Sequence, residues 1–147
     1  MYSVLILWAP DTAENRRVVE AVVAAFESRK LPTLAKKASE ATIADINIAD
    51  MILFGAQKSG PAEVPSDYSE LLRVFKGVTL AGKVAGFFSL GQEKAISRIR
   101  KALKDTEVLQ SEEDPLLSEQ KPGSALEISE WVKRLARLLQ GTQSAHG

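Results

Sequence analysis

The segment best suited to chemistry is the polar loop that follows the first apolar run of the chain. Residues Leu5–Trp8 are apolar, whereas Ala9–Asn15 brings a proline, two carboxylates, a hydroxyl and an amide before a helical pattern begins. The first turn of a helix presents unpaired backbone N–H groups and the positive end of the helix dipole, and both favour a phosphate. Thr12 and Asn15 would add side-chain donors. A simple N-terminal cap built on Asp11 or Thr12 explains the same residues, so the sequence leaves both interpretations open.

Short apolar runs alternate with segments of helical period, and this alternation predicts the elements that position the loop. Continuous apolar runs indicate strands that are covered on both faces. We expect strands at 2–8, 32–38, 51–56, 83–89 and 107–109, and helices at 16–29, after Ser66 as N-cap, at 93–104 and at 126–139. The pattern predicts an α/β fold, a doubly wound five-stranded parallel sheet of order 2-1-3-4-5 with helices on both faces.

In a sheet of this order the ligand crevice lies at the carboxyl ends of the first and third strands. Three loops are expected to meet there, at Ala9–Asn15, Gln57–Val64 and Leu90–Glu93. The candidate binding residues come from these loops and the strand end before the third. They are Pro10, Asp11, Thr12, Ala13, Glu14, Asn15, Gln57, Lys58, Ser59, Ser89, Leu90, Gly91 and Gln92.

Composition and charge narrow the class of protein. The 147 residues fit one domain, expected over 1–140, followed by a flexible polar tail at 141–147. Nineteen basic and nineteen acidic residues cancel, so we expect neither nucleic acid nor a membrane surface as a partner. The absence of cysteine excludes disulfides and thiolate chemistry. Apolar runs shorter than the ~20 residues that span a bilayer, and a start without basic residues, predict a cytoplasmic protein.

Two catalytic or metal-binding alternatives have weak support. The segment Gly86–Gly91 has the wrong spacing for the G-x-S-x-G turn of serine hydrolases, and the only histidine, His146, lies in the expected tail. Acidic residues near the predicted crevice could ligate a metal, but caps and turns account for each of them separately. The sequence contains no catalytic constellation, and we expect no metal.

The helix predicted at 93–104 is distinctly basic. Its cations are Lys94, Arg98, Arg100, Lys101 and Lys104. Such a face is ordinarily just solvated, but it would also suit docking to an acidic protein or a redox partner. Both interpretations remain open.

Four segments resemble the short-chain flavodoxin family, and together they cover almost the whole chain. The loop APDTAENRRV is similar to the family's first loop, and ADINIADMILFGAQKSG to its third strand and second loop. LAGKVAGFFSLG closely resembles the fourth strand with its S-x-G turn, and EISEWVKRL the last helix. The resemblance implies a flavodoxin fold and a site for flavin mononucleotide (FMN), with the phosphate in the first loop and the ring between aromatic side chains.

The residues at the implied FMN site depart from the family pattern. Ala13 stands at the glycine of the first loop, Pro10 and Asn15 stand at hydroxyl positions, and Glu14 brings a carboxylate close to the phosphate. Ser59 stands at the position of a stacking aromatic, and the third loop has no tyrosine. Proline donates no N–H group, and aromatic stacking contributes much of the grip on such a ring.

These departures leave two hypotheses. In one, the protein is a binding or interaction module derived from an electron carrier, with weakened or lost FMN binding. In the other, it is a functional FMN-binding electron-transfer protein, whose only activity is that of the flavin. Trp8, at the end of the first strand, is expected in the core more than as a platform for a ligand.

Overall fold

The computed structural model describes residues 2–57, 65–90, 94–112, 114–117 and 124–146. The strands are β1 (Val4–Ala9), β2 (Thr33–Lys37), β3 (Met51–Ala56), β4 (Val84–Leu90), β5 (Leu109–Gln110) and β6 (Leu116–Leu117). The α-helices are α1 (Ala13–Glu27), α2 (Ile43–Ile48), α3 (Ser69–Val74), α4 (Lys94–Ala102) and α5 (Ser124–His146). The predictions for Lys58, Ser59, Gly91 and Gln92 lie outside the described residues.

The strands form one sheet of order β2-β1-β3-β4-β5, and all of the described pairs are parallel. This confirms the predicted fold class. The two-residue strand β6, which the sequence patterns did not predict, also pairs with β4. Because β5 pairs with Val84–Ala85 and β6 with Ser89–Leu90, the two share one edge of β4 with a break between them.

Each face of the sheet carries its own hydrophobic layer. Leu5 and Leu7 of β1 point toward α2, α3 and α4, whereas Val4, Ile6 and Trp8 point toward α1 and α5. This strict alternation follows from the two-residue period of a strand. The indole of Trp131, on α5, is buried and meets the Phe88 ring edge to face at 5.5 Å between centroids. Trp8 is 6% exposed within the same layer, so it is a core residue.

Three helix boundaries differ from the sequence prediction. Helix α1 begins at Ala13 instead of residue 16, because Thr12 caps it. Ser66 is not an N-cap: it lies within a 3₁₀ turn that follows Pro65, and α3 starts at Ser69. Helix α5 continues to His146, so it takes in most of the segment that was expected to be a tail.

Among the described residues, no helix is both long enough and apolar enough to cross a membrane.

Candidate functional site

The carboxyl ends of the three central strands lie side by side. Ala9 of β1 is in register with Ala56 of β3, and Ala56 is in register with Ser89 of β4. The Gln57 backbone N–H continues this ladder with a 3.1 Å hydrogen bond to the carbonyl oxygen of Ala9. The carboxyl ends of these three strands therefore lie at neighbouring positions, and this edge of the sheet, together with the start of α1, is called the crevice below.

Helix α1 begins at the crevice, and a side chain caps its first turn. Thr12 has an extended backbone, and its Oγ1 accepts a 3.1 Å hydrogen bond from the N–H of Asn15. The hydroxyl oxygen is therefore already engaged by the helix. Ala13 and Glu14 precede Asn15 in the first turn, where backbone N–H groups point out of the start of the helix. An anion at this end would be bound mainly by the backbone.

Asn15 links the first two loops of the crevice. Its side chain is 4% exposed, and its Nδ2 donates to the carbonyl oxygen of Pro10 at 3.1 Å and to Oε1 of Gln57 at 3.4 Å. Each of these bonds orients a residue that the sequence placed in the binding set. The amide that was expected to donate to a phosphate is thus occupied inside the protein.

Charge beside the crevice is balanced by a small network around Asp11. Its carboxylate pairs with Arg16 at 3.0 Å and with Lys37 at 3.5 Å, and Lys37 also contacts Glu40 at 3.0 Å. The hydrogen bond from Arg16, assisted by the charges of Lys37 and Arg16, lowers the pKa of Asp11. Lys37 was not predicted, although it ends β2 in register with Trp8, and the strand order alone brings it to this edge.

Ser89 and Leu90 contribute to the crevice in different ways. The Ser89 side chain is 1% exposed, and its Oγ has no hydrogen-bond partner among the residues that the structure describes. Its backbone N–H donates to the carbonyl oxygen of Pro115 at 3.0 Å. The Leu90 side chain is buried in the layer against α1 and α5, so only its backbone is at hand for a ligand.

Solved structures of flavodoxins superpose on nearly the whole chain. A short-chain flavodoxin associated with a non-canonical PDU bacterial microcompartment gives a TM-score of 0.84 at 16% identity, over 95% of this chain and 99% of its own. Oxidised flavodoxin 2 from Bacillus cereus gives 0.81 at 15% identity, over 92% and 98%. Flavodoxin from Fusobacterium nucleatum bound to flavin mononucleotide gives 0.76 at 12% identity, over 93% and 98%.

The protein has a flavodoxin-like fold. The resemblance seen in the sequence motifs is thereby confirmed at the level of architecture. No protein-family model and no curated protein sequence matches the chain. At these identities the likeness concerns the fold, and function must be argued from the crevice itself.

This flavodoxin-like crevice fits FMN in part. The start of α1 offers backbone N–H groups to a phosphate, and the hydroxyl of Ser89, without a partner among the described residues, lies at the end of β4. Against this, Pro10 has no N–H group, and the Asn15 amide is occupied. Within the described residues there is no group of three or more potential metal ligands.

Proposed function

We propose that this flavodoxin-like protein is an FMN-binding electron carrier. We propose further that it binds the phosphate of the flavin more weakly than a first loop of the flavodoxin pattern would. The observation that carries the proposal is the crevice at the ends of β1, β3 and β4, with a capped helix opening onto it. Ligands of doubly wound sheets bind at this switch point. A solved structure of the same fold contains FMN, which supports flavin as the ligand class.

The residues that would hold the cofactor follow from their positions. The backbone N–H groups in the first turn of α1 would face the phosphate, because that end of a helix carries the positive end of its dipole. The Ser89 hydroxyl, which has no hydrogen-bond partner in the described part of the chain, would gain one, and an unpaired buried polar group costs about 1–3 kcal/mol. When bound, a flavin supplies the redox chemistry, and the protein supplies binding and a shielded environment.

Weaker phosphate binding follows from the first loop. Pro10 has no N–H group to donate, and the side-chain amide of Asn15 donates to two protein acceptors. Glu14 adds a carboxylate in the first turn of α1, close to where a phosphate would sit. The ion pairs of Asp11 with Arg16 and Lys37 offset part of the negative charge at this edge.

Titration of FMN and riboflavin into the purified protein, followed by quenching of flavin fluorescence, tests the proposal. We expect both flavins to bind, and FMN to bind more tightly because only FMN carries the phosphate. Thr12→Val removes the cap oxygen and should reduce the preference for FMN, whereas Thr142→Val, on the distant end of α5, should leave it unchanged. Failure of both flavins to bind would overturn the assignment.

A second candidate is a flavin-free interaction module, and the geometry of Asn15 favours it. A buried amide whose donors are satisfied by Pro10 and Gln57 needs no ligand in order to be stable. The same titration separates the two candidates, since this one predicts no quenching with either flavin.

The basic helix α4 is proposed as a docking face for an acidic protein in either case. Arg98 and Lys101 of α4 and Lys104 in the 3₁₀ turn after it are exposed, whereas Arg100 turns inward to Asp114 and does not belong to the face. Replacing Lys101 and Lys104 by glutamate should weaken capture of acidic partners and flatten its salt dependence. Lys133→Glu, an exposed site on α5, is the matched reversal. If all of these variants capture acidic partners equally well, the basic face of α4 is only a solvated surface.

A further inference from the structure

We infer that Arg100 is a positioning residue for the crevice. It clamps the segment Ser111–Leu117, which in turn supports the end of β4. The effect of this clamp on a ligand rests on the proposed flavin function, while its effect on the chain stands by itself. Arg100 bonds to Gln110, Ser111 and Asp114, so we expect it to act on the crevice through the segment that it holds.

Arg100 joins α4 to the end of β5 and to the chain between β5 and β6. Its Nη2 donates to the Ser111 carbonyl oxygen at 2.6 Å and to Asp114 Oδ1 at 2.6 Å, and its Nε donates to Asp114 Oδ2 at 3.0 Å. Its Nη1 donates to Gln110 Oε1 at 3.2 Å. Two parallel bonds to one carboxylate fix the guanidinium in direction as well as in distance.

The guanidinium is also held from below by an aromatic ring. It lies 4.3 Å from the centroid of Phe87, which is itself stacked on Phe54 at 5.7 Å between centroids. The Arg100 side chain is 26% exposed and that of Asp114 is 24% exposed, so the pair is better shielded than a surface ion pair. A lysine would lose the planar fork and the stacking together.

The clamped segment reaches the crevice through the backbone. Asp114 immediately precedes Pro115, whose carbonyl oxygen accepts the N–H of Ser89 at 3.0 Å. The next two residues form β6, in register with Ser89 and Leu90. A two-residue strand makes few hydrogen bonds of its own. The position of β6 on β4 therefore depends on the contacts that fix the chain just before it.

This arrangement explains why a strongly polar contact occurs at an edge of the sheet. The chain is bonded to β4 up to Ser111, whose N–H donates to the carbonyl oxygen of Ala85 at 2.9 Å, and again from Pro115. Arg100 bonds to the Ser111 carbonyl oxygen where this excursion begins and to Asp114 just before it ends. Releasing the guanidinium would free the excursion, and with it the support for the Ser89 N–H. The clamp is thus a link between α4 and the polar residue at the end of β4.

Amide hydrogen exchange and FMN titration on Arg100→Met, Arg100→Lys and Asp114→Asn test the inference, with Lys101→Met on the exposed face of α4 as control. Loss of a charge-assisted bond should speed exchange at the Ser89 amide roughly tenfold, and leave Ile6 and Leu53 in the central strands near their wild-type rates. FMN affinity should fall severalfold in the same variants, and riboflavin affinity with it. Asp114→Asn keeps the shape of the side chain and so serves where an Arg100 variant folds poorly.

Three outcomes would overturn the inference. One is unchanged Ser89 exchange in the clamp variants. The second is an equal rise at Ser89, Ile6 and Leu53, which would make Arg100 a general stabiliser only. The third is faster Ser89 exchange with unchanged flavin affinity in a protein that binds flavin. A wild type that binds no flavin would overturn the proposed function, whereas Ser89 exchange would still decide for or against the clamp.

Discussion

The side-chain amide of Asn15 donates to Oε1 of Gln57 across 3.4 Å and so joins the first loop of the crevice to the second. The same nitrogen holds the carbonyl oxygen of Pro10 at 3.1 Å. Since Asn15 is almost fully buried, these bonds exchange little with water. The crevice is thereby braced from within whether or not a ligand is bound.

The bracing predicts a stability cost when the amide is removed. Asn15→Ala leaves the Pro10 carbonyl and the Gln57 amide without this donor, and should lower the free energy of unfolding by about 1–3 kcal/mol. Asn47→Ala, at an exposed position of α2, is the matched control. Urea denaturation measures both. Equal midpoints for the two variants would mean that Asn15 does not brace the loops.

Close packing of β3 against β4 predicts that Gly55 tolerates no side chain. A Cβ added there would overlap Cζ and Cε2 of Phe88, and that ring is fully buried against Trp131. Gly55→Ala should therefore cost about 1–3 kcal/mol through overpacking. Gly77→Ala, where an added Cβ meets nothing within 4 Å, should cost little. Thermal unfolding of both variants and of the wild type measures these costs. An unfolding midpoint of Gly55→Ala equal to that of the wild type would show that the Phe88 ring can move.

The sequence predicted strands correctly where both faces of the strand are covered by helices. The run Met51–Ala56 is apolar throughout and was predicted with its observed bounds, because both of its faces are covered by helices. Strand β6 had no such signal. Its two residues are a strand only because the edge of β4 offers partners, and pairing between distant segments is not encoded locally.

The role of Arg100 was missed for a different reason. Counting cations placed it on a basic face, yet it lies four residues after Ile96 and one after Ile99, which are both buried. That spacing belongs to the inward stripe of α4, and it was the available signal. For the crevice, the sequence identified the polar residues. It could not show that the Asn15 amide donates its hydrogen bonds to Pro10 and Gln57.

An ion pair beneath β2 predicts a defined pH dependence. Asp45 Oδ2 accepts from Lys36 Nζ at 2.9 Å and from the Thr42 N–H at 3.0 Å. The hydrogen bond from Lys36, followed by those from Thr42, lowers the pKa of Asp45 below its ordinary value. Because the folded-state pKa is the lower one, the stabilisation is fully present above the unfolded-state value of about 4 and is lost as the pH falls through the folded value.

The expected measurement is the difference in unfolding free energy between wild type and Asp45→Asn. That difference should be largest near neutral pH and should shrink below about pH 4, where the wild-type carboxyl becomes protonated. Asp105→Asn, an exposed site, controls for the loss of one surface charge. A wild-type advantage that persists unchanged into acid would assign it to the shape of the Asp45 side chain and not to its charge.

The last prediction concerns why the first loop should bind a phosphate weakly. Restoring the family's residues as Pro10→Ser and Ala13→Gly returns a hydroxyl, an N–H group and backbone freedom to the start of α1. A charge-assisted hydrogen bond contributes roughly 1.5–3 kcal/mol, so FMN should bind about tenfold more tightly or better. Riboflavin lacks the phosphate, and its affinity should not change.

Ser59→Trp, by contrast, adds an aromatic ring that contributes about 1 kcal/mol beyond its buried area, and it should tighten the binding of both flavins alike. Fluorescence titration of each variant with both ligands separates the two contributions. Tight FMN binding by the wild type, unimproved by the loop changes, would show that the start of α1 as it stands already suffices for the phosphate. An equal gain for riboflavin in the loop variant would show that Pro10 and Ala13 restrict access to the crevice as a whole, and the phosphate argument would then be wrong.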